Sequence, residues 1–270
     1  MKKRLILLFI LSFEILSQEA NTKYSVTKEN FSGLTNSWRV KIGNLELVIP
    51  TEIGPRILHF SKIGEPNLFR VLNDQLENKN IPNWQNYGGH RLWRAPEDKF
   101  LTYSPENSEV NIADNKDYIL ISKLDTINSL LKEMEIHPDS ENSIRVVHRL
   151  TNKSKQNTKV SAWALTVFPL EGRSILPLTN RGSHPENLLA TDSIHLWAYT
   201  DMGDQLFIKK FYITPTRSYP DKNSRVEVFI NKKFLELETL SPLVRLKENE
   251  FITHTEMWYL YTLPKNITSN

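Results

Sequence analysis

Residues 224–240 read SRVEVFINKKFLELETL. Val226, Val228 and Ile230 alternate with Arg225, Glu227 and Asn231, and beyond Lys232 and Lys233 the apolar Leu235 and Leu237 alternate with Glu236 and Glu238. A period of two marks a β-strand, because successive side chains leave an extended backbone on opposite faces. Two such runs around a tight polar turn predict an antiparallel hairpin. Similar runs recur as NLELVIP, YILISKL, SIRVVHRLT, KVSAWALTVF and FITHTEMWYLYTL, separated by Gly, Pro, Asn and Asp. Each has one apolar edge to bury against another sheet. The expected fold is therefore all-β, a sandwich of packed antiparallel sheets with little helix.

The 270 residues, 39% of them hydrophobic, suffice for a sizeable core, and no repeat or Pro/Gly-rich linker divides them. At the start, Lys2, Lys3 and Arg4 precede an apolar run from Leu5 to Phe13. That run is too short to span a bilayer and has the length of a signal peptide's apolar region. The expectation is an exported protein, periplasmic or secreted, with residues 1–17 as leader and 18–270 as one domain. An uncleaved anchor or a buried strand is the alternative. Residues 1–17 carry three cationic side chains and one acidic one, so their removal lowers the net charge from +3 to +1. No Lys/Arg block remains to suggest nucleic acid or anionic lipid, and no stable membrane insertion is expected after leader removal. Cysteine is absent, which excludes disulfides and thiolate metal sites.

The longest polar stretch, residues 73–87, reads as a loop and leads into NYGGHRLWRAPE, residues 86–97. Its glycine pair lets the backbone turn sharply or approach a ligand, bringing His90, Arg91 and Trp93 into one neighbourhood. A tryptophan face suits the C–H face of a sugar, and arginine and histidine donate to its hydroxyls. The competing reading is a loop pinned by an arginine–carboxylate pair, with Trp93 in the core. Glu236 and Glu238 share one face of the late strand. Lining a cleft, one could serve as general base while the other held a neighbouring cation; facing water, both are ordinary surface charges. His148 shares a face with Ile144, Val146 and Leu150 and reads as a core histidine. His254 and Glu256, in the last strand, could reach a cleft. No phosphate loop, His-Glu-x-x-His or Gly-x-Ser-x-Gly occurs, and the scattered histidines and carboxylates give no metal site.

The series IGPRILHF, NYGGHRLWRAPE, TYSPEN, VVHRLTN, WALTVF, LWAYTDMGD, YPDKNSRVEVF and FLELETLSPL resembles a bacterial domain family of unknown function in the galactose mutarotase-like (aldose 1-epimerase-like) superfamily, from about Trp38 to Tyr261. The resemblance implies a large twisted β-sandwich with a sugar cleft on a concave sheet, and no cofactor. In that superfamily's enzymes a glutamate removes the anomeric hydroxyl proton and a histidine protonates the ring oxygen. Carried over, Glu238 resembles the base, standing before Pro242. Arg56 is similar to an early substrate-facing arginine, and His90 with Arg91 falls near the early residues that bind hydroxyls. Asp201 resembles a hydroxyl-binding aspartate. The family's histidine after a Thr-Asn turn has no counterpart in VSAWALTVF, where Trp163 stands close to its place, so the acid falls to His90 or His148. The implied function is carbohydrate binding, with Glu238 and His90 as catalytic pair, Arg56, Arg91, Trp93 and Asp201 on the substrate, and anomer interconversion as the reaction. The alternative is a non-catalytic glycan-binding or structural envelope domain, and Trp84 and Trp93 as exposed platforms would serve the first of these.

Overall fold

The computed structural model describes residues 23–175, 194–200 and 205–263, with the backbone alone for 175 and 194–200. The leader and Asp201 lie outside the described residues. Among those described, no helix is long and apolar enough to cross a membrane.

The chain begins with β1 (Tyr24–Phe31), β2 (Leu34–Ile42) and β3 (Leu45–Ile49), followed by β4 (Arg56–Ile57) and β5 (His59–Lys62). Within the polar stretch read as loop, α1 (Asn73–Glu77) makes a single turn before β6 (His90–Ala95). A long antiparallel series comes next: β7 (Asn111–Asp114), β8 (Ile119–Asp125), β9 (Leu130–Ser140), β10 (Ser143–Asn152) and β11 (Thr158–Phe168). The remaining strands are β12 (Arg173–Ile175), β13 (Ile194–Thr200), β14 (Gln205–Tyr212), β15 (Val226–Ile230), β16 (Leu235–Leu240), β17 (Val244–Leu246) and β18 (Phe251–Thr262).

Three sheets form, one more than two packed layers require. The largest runs β12-β13-β14-β18-β10-β9-β8-β7; a second runs β15-β16-β11-β6-β4, with β17 also paired to β11; and β1-β2-β3-β5 makes a third. Strand β11 lies against β10 and β18, so the two larger sheets pack face to face. One apolar cluster draws on all three sheets, from Val40 and Leu47 through Leu92 and Leu237 to Ile144, Phe207 and Trp258. Its inward residues follow the two-residue period: Leu130, Met134 and Ile136 on β9, and Ile144, Val146, His148 and Leu150 on β10, are all buried.

The hairpin at 226–240 forms in the expected register, with Val226 opposite Thr239 and Glu227 opposite Glu238. Its turn is held by the Asn231 side chain, which accepts from the backbone N–H of Lys233 (2.7 Å) and Phe234 (3.0 Å). The arms differ in depth. Every residue of β16 is buried, whereas Val228 and Ile230 of β15 remain exposed. The alternation implied a buried apolar edge on both arms, but β15 is the last strand of its sheet and has β16 on one side only.

Candidate active site

The glycine pair of NYGGHRLWRAPE is fixed by crowding. Gly88 and Gly89 have φ of +83° and +72°, and a Cβ would stand 2.0 Å from the Arg70 carbonyl oxygen at Gly88 and 2.3 Å from that of Ile57 at Gly89. These backbones meet because Gly89 N–H donates to the Arg70 carbonyl and Val167 N–H to the Gly89 carbonyl, both at 2.9 Å. From this turn the chain enters β6 as a strand, so consecutive residues point to opposite sides of the sheet.

Leu165 on β11 is opposite both Arg91 and Glu238, which places all three on one face. That face floors a cavity of about 510 Å³. Arg91, Trp93, Trp163, Glu236 and Glu238 line it from the sheet, Trp84, Asn86, Glu97 and Tyr103 from the preceding and following loops, and Glu227 and Phe229 from β15. Trp93 packs edge-to-face on Trp84, Tyr103 and Trp163 at centroid distances of 5.2 to 5.6 Å, making a continuous aromatic wall. Arg91 stacks over Trp93, its guanidinium carbon 4.3 Å from the ring centroid.

The carboxylates here are not equivalent. Glu236 accepts from Arg91 Nη1 (3.0 Å) and Asn86 Nδ2 (2.8 Å). Burial alone would raise its pKa, but Arg91 and these hydrogen bonds hold it below the usual carboxylate value. Glu238, 4% exposed, accepts from Trp163 Nε1 at 2.9 Å through Oε2 only, leaving Oε1 without a protein donor. Burial, then the neighbouring Glu236 charge, push its pKa well above the ordinary value. Glu227, directly opposite on β15, is raised to about 7 by burial and by Asp221.

Of the expected site residues, the structure brings Glu238, Arg91 and Trp93 together and leaves out two others. His90 does not reach the cavity. One residue before Arg91 on the same strand, it points through the sheet into the core and is fully buried. Its Nε2 meets His148 Nε2 at 2.7 Å and its Nδ1 meets Thr166 Oγ1 at 2.8 Å. Arg56 is likewise fully buried and does not line the cavity. Nη1 donates to the Asn86 carbonyl at 2.7 Å and to that of Gly88, and Nη2 pairs with Glu106 at 2.7 Å. It pins the loop that carries Asn86, as the arginine–carboxylate reading expected of this region, and the Arg91–Glu236 pair, which Asn86 also joins, holds it from the cavity side.

Behind the cavity, the sheet interface holds a polar chain whose protons can be placed. His148 Nδ1 faces the His254 carbonyl at 3.0 Å, which only accepts, so Nδ1 carries the proton and Nε2 is an acceptor. His90 Nε2–H must then donate to it, and His90 Nδ1 accepts from Thr166, whose oxygen accepts from Lys209 Nζ at 2.7 Å. On the other branch, His254 Nε2–H donates to Thr239 (2.7 Å), whose hydroxyl donates to Glu256 at 2.5 Å. Glu256 also accepts from Trp258 Nε1 (2.8 Å) and pairs with Lys209 at 3.0 Å. Burial depresses all three imidazoles, His254 to about 3, so they are neutral in the fold. Lys209, His148 and His254 outweigh burial at Glu256 and lower it to about 2. His90, His148 and Glu256 bring ligand atoms within 4.8 Å of one another. Their lone pairs are already spent on each other and on Lys209, so the donor set serves the network and does not fit a cation. His254 and Glu256 accordingly face the core.

Sequence reasoning missed Glu227, Trp163, Glu97 and Tyr103 as cavity residues. The alternation in VEVFI did place Glu227 apart from Val226, and the pairing of β15 with β16 converts that into a position beside Glu238.

This arrangement of packed antiparallel sheets is the fold of solved galactose mutarotase-like β-sandwiches. Solved structures show the same fold. A galactose mutarotase-like protein from Clostridium acetobutylicum matches with a TM-score of 0.62 at 11% identity, over 89% of this chain and 99% of its own. A proposed aldose 1-epimerase from Escherichia coli K12 matches at 0.53 and 11% identity over 89% and 100%. A galactose mutarotase-like protein from Lactobacillus casei matches at 0.53 and 8% identity over 83% and 100%. By sequence, the chain matches no protein-family model and no curated protein.

Proposed function

We propose that this chain binds a sugar in the Trp93–Glu238 cavity and interconverts its anomers by carboxylate acid–base chemistry. The observation that carries the reading is the state of Glu238: a buried carboxyl on the floor of an aromatic-walled cavity, with one oxygen unengaged and its pKa displaced upward. A general acid or base works best with a pKa near the working pH. Anomer exchange needs a base for the O1–H proton and an acid for the ring oxygen. The C1–O5 bond then breaks, C1–O1 becomes a carbonyl, and closure on the other face reverses both transfers. Glu238 and Glu227 are cross-strand neighbours that repel when both are charged, so ionisation of one favours retention of the proton on the other. That pair supplies both roles without a histidine. Arg91 and Trp93 are the substrate-binding residues, one donating to hydroxyls and the other, buried in the core rather than an open platform, holding the aromatic wall that the sugar ring contacts. The Escherichia coli and Clostridium acetobutylicum neighbours, a proposed aldose 1-epimerase and a galactose mutarotase-like protein, support the reaction class.

Two-dimensional NMR exchange on glucose and galactose tests this. Purified protein should accelerate exchange between α and β anomers, and Glu238→Gln should slow that rate about 10²- to 10⁴-fold. An unchanged rate in the variant rejects the assignment. A second reading is favoured by the lack of any histidine lining the cavity among the described residues: a glycan-binding module without turnover. It predicts saturable sugar binding with exchange no faster than in buffer.

A further inference from the structure

The cavity is unbalanced in charge. Four carboxyl groups line it, Glu97, Glu227, Glu236 and Glu238, against a single cationic side chain, Arg91. Arg91 is already committed, paired with Glu236 at 3.0 Å and stacked on Trp93. Glu97 is oriented by the Tyr103 hydroxyl, which donates to it at 2.5 Å. Glu238 keeps Oε1 free although the residue is almost wholly buried. Around these groups the walls are aromatic, with negatively polarised ring faces. The surplus of carboxyl groups and the unengaged Glu238 Oε1 thus favour a cationic ligand, beyond the Trp84 and Trp93 rings that Arg91 already covers.

Resting on the carbohydrate reading above, we infer that the preferred ligand is a sugar bearing a free ammonium group, an amino sugar, and that uronic acids are excluded. A neutral sugar leaves Glu227 and Glu238 crowded beside Glu236, and the cavity relieves the repulsion by holding protons. An ammonium group relieves it directly. It would sit between Glu227 and Glu238 and supply the positive charge that Arg91, committed to Glu236, does not bring to them, while the sugar ring lies against the aromatic wall. A carboxylate on the ligand would add a fifth acidic group. Apart from Asp221 near Glu227 and the buried Lys209 behind the sheet from Glu238, the titratable groups acting on this pair are those already named in the cavity.

The test is a charge series measured by titration calorimetry at pH 6.5, where amines of this kind are cationic. The probes are glucosamine and 6-amino-6-deoxyglucose, with glucose, N-acetylglucosamine and glucuronate for comparison. At least one amino sugar should bind about tenfold or more tightly than glucose and N-acetylglucosamine, with glucuronate weakest. Glu227→Gln should reduce that amino-to-neutral ratio severalfold. If glucose binds as tightly as both amino sugars, or the ratio survives Glu227→Gln, the charge preference is overturned while the carbohydrate site stands. If none of the five binds, the carbohydrate reading falls with it.

Discussion

Replacing Lys209 by methionine isolates the ionic core behind the cavity. Lys209 and Glu256 are fully buried and 3.0 Å apart, and Lys209 Nζ also donates to Thr166 at 2.7 Å. Lys209→Met keeps most of the side-chain volume but leaves the Glu256 carboxylate with only Thr239 and Trp258 as firm donors. Breaking a buried pair from one side costs about 3–5 kcal/mol, because the remaining charge has lost its counterion in a poorly solvating interior. For a chain of this size each kcal/mol lowers the melting temperature by about 2–4 °C, so Tm should fall by roughly 10 °C. Glu256→Gln alone should be comparably harmful, since it strands the ammonium. In Lys209→Met/Glu256→Gln neither charge remains. The double variant should therefore be no less stable than the worse single one, which makes the coupling energy at least the smaller single cost, about 3–5 kcal/mol. Urea unfolding of all four proteins, fitted with a common slope, gives that coupling. A single-variant cost under about 1 kcal/mol, or costs that simply add, would refute the account of Lys209 and Glu256 as a mutually dependent pair.

Two further outcomes follow from the same geometry. Gly88→Ala and Gly33→Ala impose an L side chain at nearly the same φ, +83° and +82°, yet a Cβ meets the Arg70 carbonyl in the first and nothing within 4 Å in the second. Gly33→Ala should cost about 1–2 kcal/mol from backbone strain alone, and Gly88→Ala clearly more with loss of sugar binding; equal costs in thermal melts would show that the loop yields. Acid should also destabilise the fold. His90, His148 and His254 have folded pKa values below the unfolded value of about 6.5, so the unfolded chain binds more protons as pH falls from there toward the folded values, His254 reaching about 3. Each imidazole then removes up to about 1.4 kcal/mol per pH unit. Glu227 and Glu238 act in the opposite sense, their raised values giving stability that is complete below about 4.5 and lost as pH rises through the folded pKa. Urea midpoints at pH 7.5 and 5.0 should still show a net loss at pH 5.0, and NMR should find the His254 imidazole neutral at both.

The architecture was legible because alternation is local. The runs at 144–150 and 226–240 each declare two faces, and the structure gives them those faces except at the edge strand β15. Part of the cavity was legible on the same ground: Glu236 and Glu238 lie two apart, as do Arg91 and Trp93. The pairing of His90 with Glu238 failed because HRLWRA was read as a loop, in which neighbours can converge. As strand β6 it obeys parity, and His90 and Arg91 must part. Arg56 shares the cavity face with Arg91, but no pattern in the sequence shows that residues 86–88 fold over it. Glu97 and Tyr103 reach the cavity from loops, where periodicity carries no information.

Parity also explains why the cavity and the buried network cannot be altered independently. Strands β6, β11 and β16 each serve both: Arg91, Leu165 and Glu238 face outward, while His90, Thr166 and Thr239 face the core. Glu238 and Thr239 are adjacent in the chain, so the bonds that hold Thr239 to Glu256 and His254 fix the backbone from which Glu238 projects. Lys209 lies close enough behind the sheet for the Glu238 charge to raise its pKa, and the interaction is mutual. The ammonium buried on the core side is thus a cation that Glu238 senses without touching. Its removal should make Glu238 harder to ionise as well as weaken the core, linking the stability of the sandwich to the proton held on the cavity floor.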